Sequence, residues 1–226
     1  MKRIFAFALC IFAIACTEST PEAKIEKEFK IYINENFDNP NDLMDIISIS
    51  HKQTFSKDYV AETMALIIEG EKILENIQKE DSRCWKIFGD ANLKFNGDYK
   101  ALKLMMNSLN AFDEISEWVK KNSKRKEDLE KEIAESYALL DSTITVTAYE
   151  IKTRVNHSDG PKITYFYSLY SDKVISITDN YECPEEFKDI TSKCVEQLSM
   201  INEYAELYQA KLDATHDFLD YLKLPY

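Results

Sequence analysis

Apolar residues recur every three or four positions along most of this chain, which is the spacing of amphipathic helices. The first such stripe covers residues 22 to about 34 and predicts a helix. The stretch NFDNPND ends this helix, because Pro40 forces the preceding residue out of the helical region. The short stretch LMDIISIS, residues 43–50, is apolar and rich in β-branched residues, so it predicts a strand.

A long helical region follows this strand, over residues 58 to about 138. Its first stripe begins after Ser56, and its second covers residues 102 to about 137. Between the two stripes, residues 81–100 predict a connecting loop, because Gly89 and Gly97 have turn-forming neighbours. Two amphipathic helices joined in this way predict a helical hairpin.

The pattern then changes to the alternation that is typical of strands. The segments STITVTAYEIKTRV, KITYFYSLY and KVISIT are separated by short turns and predict an antiparallel meander. From Pro184 the helical spacing returns and predicts one helix of about 38 residues that continues to the C-terminus. The predicted fold class is α+β: a small antiparallel sheet of about four strands, packed by long helices, with a helical-hairpin insertion.

The chain opens with the outline of a secretory signal. Lys2 and Arg3 precede 12 residues without a charge, residues 4–15. A helix of this length measures about 18 Å, whereas the hydrocarbon core of a bilayer is about 30 Å thick. The segment therefore predicts a cleaved signal peptide, residues 1–15, rather than a permanent transmembrane helix.

The sequence Ala13-Ile14-Ala15-Cys16 at the end of this segment resembles the lipobox of bacterial lipoproteins. The resemblance implies cleavage before Cys16, lipidation of its sulfur, and anchoring in the bacterial cell envelope, at the periplasmic face or the cell surface. Residues 16–21 would then be a lipidated tether, and residues 22–226 a single α+β domain with a helical insertion over about 58–138. The alternative is an ordinary cleaved signal that leaves Cys16 as a thiol.

Two further stretches are similar to small uncharacterised envelope lipoproteins. They are the opening helix that ends at Asp38-Asn39-Pro40, with the strand after it, and the stretch YEIKTR at residues 149–154, with Gly160 and an aromatic strand. The similarity covers about a third of the chain. It implies the same envelope location and the same helix-turn-strand and meander plan, and it implies no activity.

The charge of the chain limits its partners. The formal net charge is −12, and it becomes −14 once Lys2 and Arg3 leave with the signal. So acidic a chain disfavours binding to nucleic acid. The predicted partners are the membrane, through the lipid anchor, and an envelope protein, a peptide or a glycan.

The sequence contains no recognisable catalytic motif. It has no phosphate-binding loop, no nucleophile elbow and no zinc-protease signature. His51, His157 and His216 fall in three different predicted elements, without the spacing of a metal site. Asp213 and Asp217 flank His216, which would allow a zinc or calcium ligand set, but a solvated helix face is the favoured interpretation. We therefore predict no metal site and no cofactor.

Three cysteines lie beyond residue 16, namely Cys84, Cys183 and Cys194. The envelope permits disulfides. If the last helix begins at Pro184, Cys183 and Cys194 are about 16 Å apart, beyond the roughly 7 Å limit between bridged Cα atoms. Three alternatives stay open: that helix begins later, near Thr191; Cys84 bridges one of the other two cysteines; or all three are buried thiols.

The strand KITYFYSLY carries the candidate binding surface. We assign one of its faces to the packed helices, namely the face with Ile163, Tyr165, Tyr167 and Leu169. The opposite face, if it is open to water, makes an aromatic platform for peptides or sugars. The candidate binding residues there are Phe166, Tyr170, Tyr149 and Tyr181. If a helix covers this face, these residues form a second core layer, which is the favoured interpretation.

These features together favour a non-enzymatic envelope lipoprotein with a binding or scaffolding role. One alternative is a periplasmic hydrolase with a dispersed carboxylate site, for which Asp179 and Glu182 are the best-placed acids. Full exposure of both carboxylates would count against that alternative. Another is an inhibitor or immunity-type protein whose acidic surface blocks a basic partner.

Overall fold

A computed structural model describes residues 20–92 and 98–226 of the chain. The predicted signal peptide and Cys16 lie outside these residues. Within them, no helix combines the length and the hydropathy that a membrane span requires. The elements in chain order are α1 (Pro21–Asn36), a 3-10 turn (Pro40–Asp42), β1 (Leu43–Phe55), α2 (Lys57–Asn92), α3 (Tyr99–Leu139), β2 (Val146–His157), β3 (Gly160–Tyr170), β4 (Val174–Thr178) and α4 (Glu185–Tyr221).

The chain divides into two compact units. Of the described residues, the sheet unit contains those up to Ser56 together with Thr143–Pro184, and the helical unit contains those between Lys57 and Ser142 together with Glu185–Tyr226. From the sequence, residues 22–226 are expected to form one domain with an inserted hairpin. In the structure, the C-terminal helix α4 belongs to the same unit as the two inserted helices.

The sheet unit is built on the predicted meander. Its four strands are antiparallel and lie in the order β1-β2-β3-β4, which confirms the α+β fold class. β2 and β3 pair without irregularity up to the turn, where Gly160 has a φ of +114° that other residues rarely adopt. The edge strand β1 shifts register against β2 at three places. Such irregularities protect an exposed edge from pairing with other chains.

Helix α1 covers one face of this sheet. Thr20 caps the helix, since its Oγ1 accepts a hydrogen bond from the Ala23 amide, and Pro21 occupies the first helical position. Ile25, Phe29 and Ile33 follow at intervals of four residues, so they line one side of the helix, and all three are buried. They pack against the apolar side chains of β2 and β3, which gives the sheet unit its core.

The helical unit consists of three long helices. α2 and α3, the predicted hairpin, each pack mainly along α4 and contact each other little. α4 is one helix of 37 residues, which confirms the long C-terminal helix. Its buried residues therefore face two helices, which explains why its apolar stripe continues over its whole length.

The loop predicted for residues 81–100 is wrong over most of its length, because α2 continues to Asn92. Cys84, Phe88 and Ala91 continue the apolar stripe and are buried in a core cluster that includes Phe218 of α4. Gly89 costs the helix about 1 kcal/mol relative to alanine. The burial of the neighbouring side chains offsets this cost, so tertiary packing outweighs the local turn signal.

Candidate functional site

A buried ion pair lies inside the helical unit, between α2 and α4. Lys211 Nζ is 2.6 Å from Asp81 Oδ2, and the two side chains are only 4% and 5% exposed. The same ammonium lies 4.1 Å from the centre of the Trp85 ring, within the range of a cation–π contact. The other carboxylate oxygen, Asp81 Oδ1, is buried without a hydrogen-bond partner in the described chain. Desolvating two charges is costly, so each of these side chains depends on the other to remain buried.

Three potential metal ligands meet about one helical turn from this pair. Cys84 Sγ lies 3.3 Å from His216 Nε2 and 3.9 Å from Glu80 Oε1. All three donor atoms are within 4.8 Å of one another. Glu80 and Cys84 share a face of α2 because they are four residues apart, and His216 comes from α4. We call these three residues the thiol–imidazole–carboxylate cluster.

The cluster does not suit nucleophilic catalysis. Burial raises the pKa of the Cys84 thiol above its ordinary value, and the negative charge of Glu80 raises it further. The attacking species in cysteine catalysis is the thiolate, which a raised pKa disfavours. The Cys84 side chain is also fully buried, whereas Glu80 and His216 are half-buried. A substrate would therefore reach the carboxylate and the imidazole before the sulfur.

The C-terminal residue covers the imidazole of this cluster. The rings of His216 and Tyr226 are stacked, with centroids 4.3 Å apart and an interplanar angle of 17°. The Tyr226 hydroxyl donates a hydrogen bond to Asp220 Oδ1 at 3.1 Å, which fixes the ring. Asp213 and Asp217, the acids that flank His216 in the sequence, are both exposed. The two acids therefore lie on a solvated face, whereas His216 between them in the sequence is half-buried.

The predicted aromatic platform is divided between two faces of the sheet. Phe166 is 4% exposed, and its ring lies 5.1 Å from that of Phe29 under α1. Tyr149 is buried in the same core, and Tyr170 is half-buried, with its hydroxyl accepting a hydrogen bond from Lys24. A helix therefore covers this face, as in the favoured interpretation, but the face is the main core of the sheet unit rather than a second layer.

Our assignment of the strand faces was wrong. Ile163 and Tyr165, placed under the helices from the sequence, are 44% and 42% exposed. Tyr181 lies on this open side, where its ring contacts that of Tyr167 at 5.5 Å. Phenylalanine has no polar group to hydrate, whereas tyrosine can bury its ring and keep its hydroxyl in water. This difference favours Phe166 for the core and Tyr165 for the open side.

Charged residues surround the tyrosines of this open side. Lys52 Nζ lies 5.9 Å and 5.8 Å from the ring centres of Tyr167 and Tyr181, and 3.3 Å from Glu150 Oε2. Lys152 lies over the Tyr165 ring at 6.0 Å. The open sheet face, as we define it, consists of Asp45, Lys52, Glu150, Lys152, Arg154, Ile163, Tyr165, Tyr167 and Tyr181. Its formal charge is +1, from three cations and two carboxylates.

None of the three cysteines in the described chain forms a disulfide. Helix α4 begins at Glu185, one residue after Pro184. Most of the chain between Cys183 and Cys194 is therefore helical, which holds the two cysteines too far apart for a bridge. Cys84 contacts His216, which lies 22 residues beyond Cys194 on α4, or about 33 Å along the helix. A bridge between Cys84 and Cys194 is therefore excluded by distance.

The carboxylates proposed for a hydrolase site are not enclosed. Asp179 and Glu182 are both exposed, and Asp179 accepts a hydrogen bond from the neighbouring Asn180. Their exposure counts against the hydrolase alternative, since catalytic carboxylates are usually shielded enough to change their affinity for protons.

Sequence reasoning missed the thiol–imidazole–carboxylate cluster for two reasons. Cys84 and His216 are 132 residues apart, and no local spacing connects them. Glu80 and Cys84 do have helical i, i+4 spacing, but the local turn signals predict a loop for this segment.

No protein-family model matches this sequence, and neither a curated protein nor a solved structure matches it.

Proposed function

We propose that this chain is a lipid-anchored protein of the bacterial envelope that binds a partner and catalyses no reaction. The anchor rests on the lipobox-like sequence Ala13-Ile14-Ala15-Cys16. Two or three acyl chains on Cys16 would hold the protein firmly, since each buried methylene contributes about 0.8 kcal/mol. The Cys16→Ser variant would then leave the detergent phase that retains the wild type.

The anchor would keep the sheet unit close to the lipid surface. Helix α1 begins at Pro21, five residues after Cys16. Five residues of fully extended chain span at most about 17 Å. The partner is therefore a molecule that is present near the membrane surface.

The open sheet face is the observation that carries the binding role. Ile163, Tyr165 and Tyr181 are each more than two-fifths exposed, in a sheet whose other face is filled by α1. Tyr165 and Tyr167 are two positions apart on β3, so they lie on the same face of the strand with their Cα atoms about 7 Å apart. Aromatic rings at this spacing suit successive sugar rings, whose apolar faces stack on them while their hydroxyls bind the polar groups nearby.

The charge of the open sheet face favours an acidic ligand. The face has a formal charge of +1, although the chain after loss of the signal has a charge of −14. An anionic ligand therefore meets less repulsion at this face than the net charge of the chain suggests. Lys152 and Arg154 can bind carboxylates by charge-assisted hydrogen bonds. Among the predicted partners, we propose a glycan as the ligand, namely an oligosaccharide that carries carboxylate groups.

Calorimetric titration of the full chain with oligogalacturonate tests this conclusion, with neutral maltohexaose as the control ligand. We expect Tyr165→Ala and Tyr181→Ala each to weaken binding about 5- to 30-fold, the equivalent of one or two kcal/mol. Tyr99→Ala is the matched control, because Tyr99 is 81% exposed in the helical unit. Equal affinity for wild type and both variants would contradict the assignment of the face. Selective binding of an extended peptide would instead identify a peptide partner.

A further inference from the structure

The donor atoms of the thiol–imidazole–carboxylate cluster are close to the spacing of a tetrahedral metal site. Zinc bonds of about 2.0–2.3 Å place neighbouring ligand atoms about 3.3–3.8 Å apart. Cys84 Sγ lies 3.3 Å from His216 Nε2 and 3.9 Å from Glu80 Oε1, and the whole set fits within 4.8 Å. We propose that Glu80, Cys84 and His216 bind one Zn²⁺ ion.

The types of ligand select the metal. Zinc accepts sulfur, imidazole nitrogen and carboxylate oxygen together, whereas calcium and magnesium require oxygen ligands. A buried cysteine at the centre of the cluster therefore favours zinc among the common divalent ions. Three protein ligands also leave a fourth position for water or for a ligand of the metal.

The surroundings of the cluster favour a cation. Glu80 and Asp81 both place negative charge near the Cys84 sulfur, and Arg83 is the positive group that opposes them. Asp81 is also paired with the Lys211 ammonium at 2.6 Å, so Glu80 is the cluster's own source of negative charge.

Zinc binding requires two small rearrangements. Glu80 Oε1 pairs with Arg83, whose side chain is 59% exposed and can turn into solvent when the carboxylate binds the metal. The Cys84 thiol loses its proton to solvent as the sulfur–zinc bond forms, and the imidazole donates the lone pair of Nε2. Each zinc ion therefore releases one thiol proton. The ionisable groups around this thiol are Glu80, Asp81 and Arg83 on α2, His216 on α4, and Tyr226 after α4.

The test uses the full chain, purified in detergent, reduced, and freed of metal with a chelator. We add zinc chloride and measure the zinc retained after gel filtration, the protons released and the melting temperature. Cobalt(II) chloride replaces zinc in a parallel sample, because thiolate–cobalt bonds absorb in the near ultraviolet. We expect one zinc per chain, about one proton per zinc, a higher melting temperature and a charge-transfer band.

Variants identify the ligands. Cys84→Ser should abolish the charge-transfer band, and Glu80→Gln and His216→Gln should each weaken zinc binding by at least about 10- to 100-fold. Cys194→Ser and His157→Gln are the matched controls, and they should leave the affinity unchanged. Cys194 is buried like Cys84, and His157 lies at the end of β2 in the sheet unit.

The proposal fails if the wild type retains no zinc, or if Glu80→Gln and His216→Gln retain as much zinc as the wild type. It also fails if a control variant loses the metal as completely as Cys84→Ser. If Cys84→Ser does not fold, as judged by circular dichroism, Glu80→Gln and His216→Gln still test the proposal, because both residues are only half-buried.

Discussion

Cys84 on α2 and His216 on α4 are 132 residues apart in the chain, and their side chains meet with Sγ 3.3 Å from Nε2. The buried pair of Asp81 and Lys211 joins the same two helices about one turn away. Both contacts lie beside a core of aromatic side chains that includes Phe88 and stacks Trp85 on it. Two contacts between ionisable side chains, one of them fully buried, therefore lie close together between the same two helices of the helical unit.

Breaking the buried ion pair should destabilise the helical unit strongly. Asp81→Ala leaves the Lys211 ammonium buried without its counter-charge. We expect a loss of about 3–5 kcal/mol in the free energy of unfolding. Urea denaturation followed by circular dichroism measures this loss.

A double variant distinguishes the cost of leaving one buried charge unpaired from the net contribution of the ion pair to stability. Asp81→Leu combined with Lys211→Met removes both charges and keeps apolar volume, so it should recover most of the stability. A loss below about 0.5 kcal/mol in Asp81→Ala would show that the lysine finds water or another partner, and would contradict the enclosed site.

The orientation of β3 predicts opposite effects at neighbouring positions. Phe166→Ala should cost about 3–5 kcal/mol, because it removes a buried ring that α1 packs against. Tyr165→Ala, on the open sheet face, should cost less than about 1 kcal/mol. Thermal or urea unfolding of the two variants, compared with the wild type, checks both values. A reversed order would mean that α1 covers the other face of the sheet.

The same strand shows what the sequence could and could not establish. The alternation of KITYFYSLY correctly groups Phe166 with Tyr170, and Tyr165 with Tyr167, since side chains alternate along a strand. Alternation alone does not tell which group a helix covers. That choice depends on α1, which comes more than a hundred residues earlier and supplies Phe29.

The helical unit shows the same limit at longer range. The stripe of α4 and the two helices of the insertion could be predicted, because helical periodicity is a local signal. The predicted pairing of those two helices with each other could not, because each packs along α4 instead. The local turn signal of Gly89 was misleading, since the packing of Phe88 against Phe218 decides the course of α2. The pairing of Cys84 with His216 depends on how two distant helices align, which no local pattern in one sequence records.

Alkaline pH should destabilise the protein through groups that the fold keeps protonated. Burial, followed by a hydrogen bond with Tyr208, holds the pKa of Tyr204 above its ordinary value of 10.0. Above that pH the unfolded chain loses this proton while the folded chain keeps it, so the free energy of unfolding decreases as the pH rises. Burial also raises the pKa of the Cys84 and Cys194 thiols above 9.0, which adds to the decrease from about pH 9.

Tyr204→Phe isolates the contribution of the phenol. The variant should keep the ring stacked on Trp118, where the centroids are 4.2 Å apart, and show a smaller decrease in stability between pH 9 and 11. Tyr99→Phe, at an exposed position, is the control and should behave as the wild type. A steeper decrease in Tyr204→Phe than in the wild type would contradict the assignment.

Acidic pH should weaken the bidentate pair between α3 and α4. The Nε and Nη2 atoms of Arg125 each donate to one carboxylate oxygen of Glu196 at 2.8 Å. This hydrogen bonding holds the pKa of Glu196 below its ordinary value of 4.5. The stabilisation is therefore present above pH 4.5 and disappears as the pH falls through the lowered pKa.

Glu196→Gln tests the pair at two values of pH. Its melting temperature should be below that of the wild type at pH 7. The difference should shrink as the pH falls through the lowered pKa of Glu196, because the wild-type carboxylate then loses its charge as well. The effect should be small, because both side chains are more than two-fifths exposed. Glu203→Gln, at another exposed position of α4, is the control. If the variant's melting temperature lies equally far below that of the wild type at both pH values, the effect comes from packing and not from the ion pair.

The central claim of a lipid-anchored envelope protein is tested most directly by the intact mass of the mature chain. Wild type and Cys16→Ser are expressed in a bacterial host, and their masses are measured by mass spectrometry. We predict that the wild type lacks residues 1–15 and carries the added mass of acyl chains, whereas Cys16→Ser carries no lipid. A wild-type chain without acyl groups, identical to the variant apart from the substituted atom, would contradict the anchor.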